Sequence, residues 1–384
     1  MHLFFINDRT LINFERNDIM DKTIIGKWQG NAFGEVINII SVTPLKIKIS
    51  FNVTGYFNTT PNCVYEKNEY LCYEINDEYN RMIFHIKYNR GKLEGYYTFH
   101  EKNFDIVYEK ISDIPDDKPF EYNPQMIIVP TTNKTRIQVL REYSDYDKNI
   151  KYNIVNTYSL NENIPEILRK YNYYNYVNDL KNTDDKIVFS LLNFVCNNFG
   201  HNGTNGLSTD RKISGIIEFC ERNNQKTNCR GLAILLASLL RLNGIKAQHI
   251  TCMPYEEPFE DCHVVVDCLL PSGKRIMLDP TYHLYYKDKN NEYVSLQHLR
   301  EMLISGDQLF PNKEASYNGE KFYEKYYIGY MTKNTFRFGR FTLAKDGVDW
   351  ETKDSKYIEL VPKFYNNKKL NECLILNDEE FWKM

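Results

Sequence analysis

Apolar and polar positions alternate with a period of two through the first third of the chain. The pattern is plain in Leu45-Lys46-Ile47-Lys48-Ile49-Ser50-Phe51, in Met82-Ile83-Phe84-His85-Ile86-Lys87-Tyr88 and in Tyr96-Tyr97-Thr98-Phe99. Asn76-Asp77, Asn89-Arg90-Gly91 and Lys102-Asn103 are turn signals between these runs, and short strands at such spacing predict antiparallel β structure over residues 1–112, as a small barrel or a meander. Pro115, Asp116, Asp117, Pro119 and Pro124 then break all periodicity, so residues 113–124 are expected to form a linker. Beyond it the period lengthens. Thr183-Asp184-Asp185 is a helix start, and Ile187, Leu191, Leu192, Phe194 and Val195 follow at helical spacing, up to a Gly- and Asn-rich loop over 197–206. A second helix is expected near 213–221. A third begins at Asn228-Cys229, with Asn228 as its N-cap, a Leu/Ala-rich middle and Asn243-Gly244 as its C-cap. Strands at 245–252, 262–268 and 274–280 come next, and the turn Leu270-Pro271-Ser272-Gly273 makes the last two an antiparallel hairpin. Residues 125–310 thus read as one α+β domain. Alternation at 336–341 and 357–361 predicts further strands in a C-terminal extension, 311–384.

The length of 384 residues suits two to three domains. A net charge of −3 supplies no bulk field for a polyanion, so no nucleic-acid partner is expected. The longest apolar stretch, 231–240, is half of what a membrane span needs. Met1 to Arg9 has neither the basic start nor the apolar core of an export leader, and nine cysteines without a regular frame fit a reducing cytoplasm better than a disulfide scaffold. Aromatic residues make up 14% of the chain, 30 of them tyrosines, a bias that AT-rich coding accounts for as readily as function does. Gly26-Lys27-Trp28-Gln29-Gly30 resembles the Gly-x-Trp that opens the first strand of lipocalin-like barrels, which would make the N-terminal domain a ligand-binding barrel; a core Trp beside a turn Gly is the other reading.

Cys229 draws attention by its position. A helix N-terminus offers unpaired N–H groups and partial positive charge, which stabilise a thiolate and leave donors free for an oxyanion. His263 and Asp279 lie on the two strands of the predicted hairpin, near cross-strand register, though a one-residue slip would put them on opposite faces. A carboxylate beside a histidine orients the ring and stabilises its charged form, as the base of a cysteine nucleophile requires. Cysteine at the head of an apolar helix, histidine on a strand and Asp279-Pro280-Thr281, spaced 34 and 16 residues apart, together resemble the transglutaminase-like core over about residues 186–286. The resemblance implies an α+β fold of transglutaminase-like or papain-like type, a Cys229–His263–Asp279 triad, and acyl transfer from an amide carbonyl of a protein or peptide substrate through a thioester, without a cofactor. Asn228 replaces the glycine frequent before the cysteine, Arg230 the tryptophan typical after it in the calcium-activated animal enzymes, and Val265 the tryptophan common after the histidine. Calcium sites are therefore not carried over, nor are the paired Cys-x-x-Cys zinc ligands of the peptide N-glycanase branch.

The oxyanion site needs a second donor besides the Cys229 N–H, and Asn197, Asn198, His201 and Asn202 are the candidates in the preceding loop. No metal site is expected. Cys252, Cys262, His263 and Cys268 lack zinc-ligand spacing, and Asp145-Tyr146-Asp147 lacks the glycine and distal glutamate of a calcium loop. His249, His283 and His298 have no carboxylate at convincing spacing; Cys63, Cys72, Cys196, Cys220 and Cys373 have no base nearby in sequence and read as packing residues. The alternative to an enzyme is an inactive transglutaminase-like binding protein whose barrel holds the ligand. The oligomeric state is not legible.

Overall fold

The computed structural model describes residues 24–32, 36–42, 47–51, 56–76, 81–99, 102–115, 121–129, 131–151, 154–178, 180, 184–257, 259, 261–365, 374–375 and 377–383. The leader question at Met1 to Arg9 and the reading of Cys373 lie outside these residues. The chain divides into two compact units, Met1–Pro130 and Thr131–Met384.

Among the described residues the first unit forms a ten-stranded sheet made of β1 (Gly26–Ala32), β2 (Val36–Val42), β3 (Ile47–Phe51), β4 (Tyr56–Thr59), β5 (Cys63–Lys67), β6 (Tyr70–Asn76), β7 (Arg81–Asn89), β8 (Lys92–Phe99), β9 (Lys102–Ser112) and β10 (Glu121–Tyr122). The period-two pattern is realised in β7, where Met82, Phe84 and Ile86 are buried between more exposed neighbours. Arg90 and Gly91, both at positive φ, form the two-residue turn to β8. Residues 121–122, within the stretch expected as linker, pair with β4.

The order β10-β4-β3-β2-β1-β9-β8-β7-β6-β5 corrects the lipocalin-like expectation: among the described residues no ladder joins β4 or β10 to β5, so the sheet is an open meander and not a barrel. Residues of β5 show why. Four of its five residues are exposed and only Tyr65 is half-buried, so it presents no apolar face to a lumen. Trp28 serves a packed core instead, 1% exposed among Tyr73, Phe84, Tyr97, Ile106 and Tyr108, with its Nε1–H donating to the Ile24 carbonyl at 2.9 Å. Gly26 is needed for close approach: at φ +136° an added Cβ would lie 2.4 Å from the Ser112 carbonyl oxygen. With the barrel goes the ligand site on which the binding-protein alternative relied.

The second unit is α+β, as expected. Its helices include α1 (Lys186–Asn198), α2 (Ile213–Arg222) and α3 (Cys229–Leu242); its six-stranded sheet runs β13-β12-β11-β14-β15-β16, where β11 is Ala247–Met253, β12 His263–Leu269, β13 Arg275–Leu278, β14 Arg337–Phe341, β15 Tyr357–Leu360 and β16 Leu374–Ile375. The strands predicted at 336–341 and 357–361 thus extend the same sheet. Helix α3 is buried on all sides from Gly231 to Leu242, which marks a central helix rather than an amphipathic one. It packs with α1 and α2 against Val264, Val266 and Cys268 of β12 and Ile276 and Leu278 of β13, each fully buried leucine adding about 1.5–3 kcal/mol. Since faces alternate, His263 and Asp267 project from the opposite side of β12. No helix among the described residues is long and apolar enough to cross a membrane.

Candidate active site

Local signals fix the position of Cys229. Asn228 has extended backbone angles and its side chain accepts from the Gly231 N–H at 3.0 Å, so the helix starts at the cysteine, which stands in its first turn. At the other end Gly244, at φ +78°, closes the helix in the left-handed conformation. The register of β12 and β13 places Val266 opposite Leu278, and His263 opposite Cys252 of β11.

Asp279 follows β13 in an Asx turn. Its Oδ1 accepts from the Thr281 N–H at 2.9 Å, which leaves Oδ2 to meet His263 Nε2 at 2.6 Å and the Tyr327 hydroxyl, which donates to it at 2.8 Å. His263 and Asp279 are 2% and 0% exposed, so little water competes for these bonds.

The electrostatics of the cysteine and histidine run in opposite directions. Burial alone would raise the Cys229 thiol, but hydrogen bonding and charge from His201 and His263 bring it from 9.0 down to about 6. Burial would lower His263, yet the charge and hydrogen bond of Asp279, helped by Cys229, raise its imidazole to about 10. The balance favours a thiolate–imidazolium pair between those limits.

His201 reaches the sulfur through a device with no strong sequence signal. Gly200-His201 forms a two-residue parallel ladder with Lys226-Thr227, immediately ahead of the cysteine helix. Asn318, at the tip of the 316–321 hairpin, holds His201 on both sides: its Oδ1 accepts from the His201 N–H at 2.7 Å and its Nδ2 donates to the His201 carbonyl at 3.0 Å. The His201 Nδ1 and the Tyr317 hydroxyl share a hydrogen bond at 3.0 Å. Of the other oxyanion candidates, Asn198 donates back to the Phe194 carbonyl at 2.8 Å, Asn197 points to the Tyr176 hydroxyl, and the side-chain Oδ1 of Asn202 accepts from the Thr204 N–H at 3.0 Å.

Three features escaped sequence reading. The first is an aromatic wall: Tyr282, Tyr327 and Tyr330 lie with ring centroids 6.0, 6.5 and 5.3 Å from the His263 ring, and Tyr282 extends the contact to Tyr317 and Phe322. Part of the aromatic excess therefore gathers here, where coding bias alone gives no reason for it. The second is a buried ionic cluster behind Cys229. Arg230 grips Asp349 through two bonds of 2.9 and 2.7 Å, and His249 and Arg211 complete the set at 2.9 and 3.2 Å; Asp349 is held well below the usual carboxylate range by His249 and Arg230 in spite of its burial. His249 thus has a carboxylate partner one hundred residues away. The third is Cys72, whose sulfur lies 3.1 Å from His85 Nδ1 in the first unit.

Among the described residues no group of three or more His, Cys, Asp or Glu side chains is arranged to hold a metal ion. Cys72, Cys196, Cys220, Cys229, Cys252, Cys262 and Cys268 form no disulfide among the described residues.

Residues 173–280, just over a quarter of the chain, match the family model of the transglutaminase-like superfamily. Over that region the chain is similar to the transglutaminase-like superfamily. Among solved structures, a candidate protease from Parabacteroides distasonis matches at 13% identity over 53% of this chain and 39% of its own, with a TM-score of 0.24. A candidate cysteine protease from Cytophaga hutchinsonii matches at 12% identity over 75% of this chain and 82% of its own, also with a TM-score of 0.24. The chain thus spans well under half the length of the first of these two proteins. No curated protein matches the chain.

Proposed function

We propose that the protein is a cysteine-dependent enzyme that transfers an acyl group from an amide carbonyl of a protein or peptide, using Cys229 as nucleophile, His263 as acid and base, and Asp279 as the group that orients the imidazole. The observation that carries this reading is the paired displacement of two groups: a thiol brought down to about 6 beside an imidazole brought up to about 10. Structural cysteines in apolar surroundings move the other way, as Cys252 and Cys268 do.

The chemistry follows from that charge distribution. The Cys229 thiolate adds to the carbonyl carbon, forming a C–S bond and moving the π pair onto oxygen. The Cys229 N–H at the helix start is one donor for that oxyanion, and His201 is the second. As the oxyanion collapses the C–N bond breaks, and the His263 imidazolium gives its proton to the departing amine. A thioester remains. Water or a primary amine then attacks it, His263 takes the proton from the attacking group, and the C–S bond breaks to restore the thiolate.

Two measurements test the reading. Iodoacetamide at graded pH, with the label located by mass spectrometry, should modify Cys229 with a midpoint near 6, well ahead of the exposed Cys63; equal rates at the two positions overturn the nucleophile assignment. A glutamine-containing peptide with and without added primary amine then separates the two acceptors: an amine adduct identifies a transferase, deamidated or cleaved peptide alone a hydrolase.

A further inference from the structure

The 316–321 hairpin is set by its own sequence. Ser316-Tyr317 pairs with Glu320-Lys321, and Asn318 and Gly319 form the two-residue turn at φ +52° and +80°, a conformation that Asn-Gly adopts with little strain. Two sets of contacts fix where the hairpin lies. At its base the Ser316 N–H donates to the Tyr282 carbonyl at 2.9 Å, and the Tyr317 ring lies 5.4 Å from the ring of Tyr282, which follows closely on Asp279. At its tip the Asn318 side chain takes both the N–H and the carbonyl of His201, as a neighbouring strand would. The hairpin therefore connects the Asp279 side of the site to the His201 side.

Tyr317 meets the His201 ring itself. Its hydroxyl is 3.0 Å from Nδ1, which leaves Nε2 for the sulfur of Cys229, with which the imidazole also hydrogen-bonds. A neutral imidazole has one N–H and one lone pair, and the partner of one nitrogen decides what the other is. A thiolate only accepts. Nε2 must then hold the proton, and Nδ1 must be the lone pair that accepts from the Tyr317 O–H. Burial raises the Tyr317 hydroxyl above its ordinary 10.0, so this donor keeps its proton at neutral pH. The opposite tautomer would turn a lone pair toward both the sulfur and the oxyanion, where a donor is required.

We propose that Tyr317 and Asn318 are positioning residues for the reaction at Cys229: Tyr317 holds His201 in its Nε2–H tautomer and Asn318 fixes the His201 backbone, so that one N–H serves the thiolate at rest and the oxyanion during turnover. The inference rests on the catalytic reading of Cys229 and adds to it the origin of the His201 donor. Without the hydroxyl the ring proton distributes over both nitrogens, and every molecule in the wrong tautomer lacks the donor. Without the Asn318 amide the tautomer is kept but the ring loses its fixed place.

The test compares Tyr317→Phe, Asn318→Gly and His201→Ala with the double variants that combine each of the first two with the third. Glycine at 318 tolerates the positive φ, so only the side-chain contacts are lost, and melting curves establish that each variant folds. Tyr317→Phe and Asn318→Gly should each lower kcat for a glutamine-containing peptide about two- to tenfold, the range of a single hydrogen bond, with little change in KM. Each should also move the Cys229 alkylation midpoint up from about 6, by less than His201→Ala does. In the His201→Ala background the same two substitutions should change neither quantity, since the ring through which they act is gone. A purely structural role gives the opposite result, equal losses with and without His201, and that outcome overturns the proposal. A Tyr317→Phe chain with wild-type kcat and midpoint overturns it as well. Wild-type Cys229 that alkylates no faster than Cys63 removes the catalytic reading itself, and this inference with it; a selective Cys229 whose midpoint ignores Tyr317 removes the inference alone.

Discussion

Each unit of the protein holds a cysteine beside a histidine, and the two pairs behave in opposite ways. In the first unit Cys72 and His85 are direct cross-strand partners on β6 and β7, and Tyr96 stacks on the imidazole at 4.4 Å. Burial raises the Cys72 thiol, and burial together with the charge of Lys67 lowers the His85 imidazole, so both groups move toward their neutral forms. In the second unit Cys229 moves down and His263 up. Proximity is common to both pairs and cannot be the cause. Asp279 faces the second imidazole where a lysine acts on the first, and Cys229 heads a helix where Cys72 lies mid-strand. A carboxylate at the imidazole and a second imidazole, His201, at the thiol separate a neutral thiol–imidazole contact from an ion pair.

The largest effect that would sharpen this contrast is the loss of each thiol in turn. Cys229→Ala should lower turnover by about 10⁶, the scale seen when a nucleophile of a triad is removed, whereas Cys72→Ala should leave it unchanged; turnover is followed by ammonia release or cleavage of a peptide. Alkylation gives the same contrast as a pH profile. For Cys229, an acid whose folded value is depressed, the thiolate is present above about 6 and is lost as pH falls through it; for His263 the proton is retained up to about 10 and lost above. Activity should therefore follow a bell between those limits, while Cys72 should label only above its ordinary 9.0. Equal profiles for the two cysteines would remove the distinction.

Asp279→Asn should convert the second pair into something close to the first. The ring keeps a hydrogen-bonding neighbour but loses the negative charge, so turnover should fall by about 10⁴, the His263 limb should move down, and the Cys229 midpoint should move up. His201→Ala comes next, at about 10²–10³, the scale of one oxyanion donor. Its signature is a fall in kcat with little change in KM, with an upward shift of the Cys229 midpoint because one of the two imidazoles acting on the thiol is gone. A loss confined to KM would make His201 a binding residue only.

How much of this was legible depends on how local each signal is. The cap at Asn228, the apolar helix and the 270–273 turn are encoded within a few residues, and the helix and hairpin formed where the pattern placed them. Asp279-Pro280-Thr281 was visible as a motif, but its physical sense, an Asx turn that reserves one carboxylate oxygen, needed the structure. The barrel failed because alternation specifies strands and not closure, which depends on whether β5 has an inward face. His85 beside Cys72, Asp349 beside Arg230 and Tyr327 beside Asp279 are long-range contacts, 13, 119 and 48 residues apart, and nothing local in the chain signals them.

Tyr327 offers the smallest and most specific test. Its hydroxyl donates to Asp279 Oδ2, the same oxygen that meets His263, while its ring packs 4.9 Å from that of Tyr282. Tyr327→Phe keeps the ring and removes only the bond, which at about 1 kcal/mol amounts to roughly a fivefold change. The direction is set by charge. A carboxylate relieved of one donor is a stronger partner for the imidazolium, so the alkaline limb of the pH–rate profile should move up while the rate changes by less than about tenfold. Movement of that limb downward, or a loss approaching that of Asp279→Asn, would mean that the hydroxyl holds the carboxylate in place for His263, and the contrast between the two cysteine–histidine pairs would then rest on three groups instead of two.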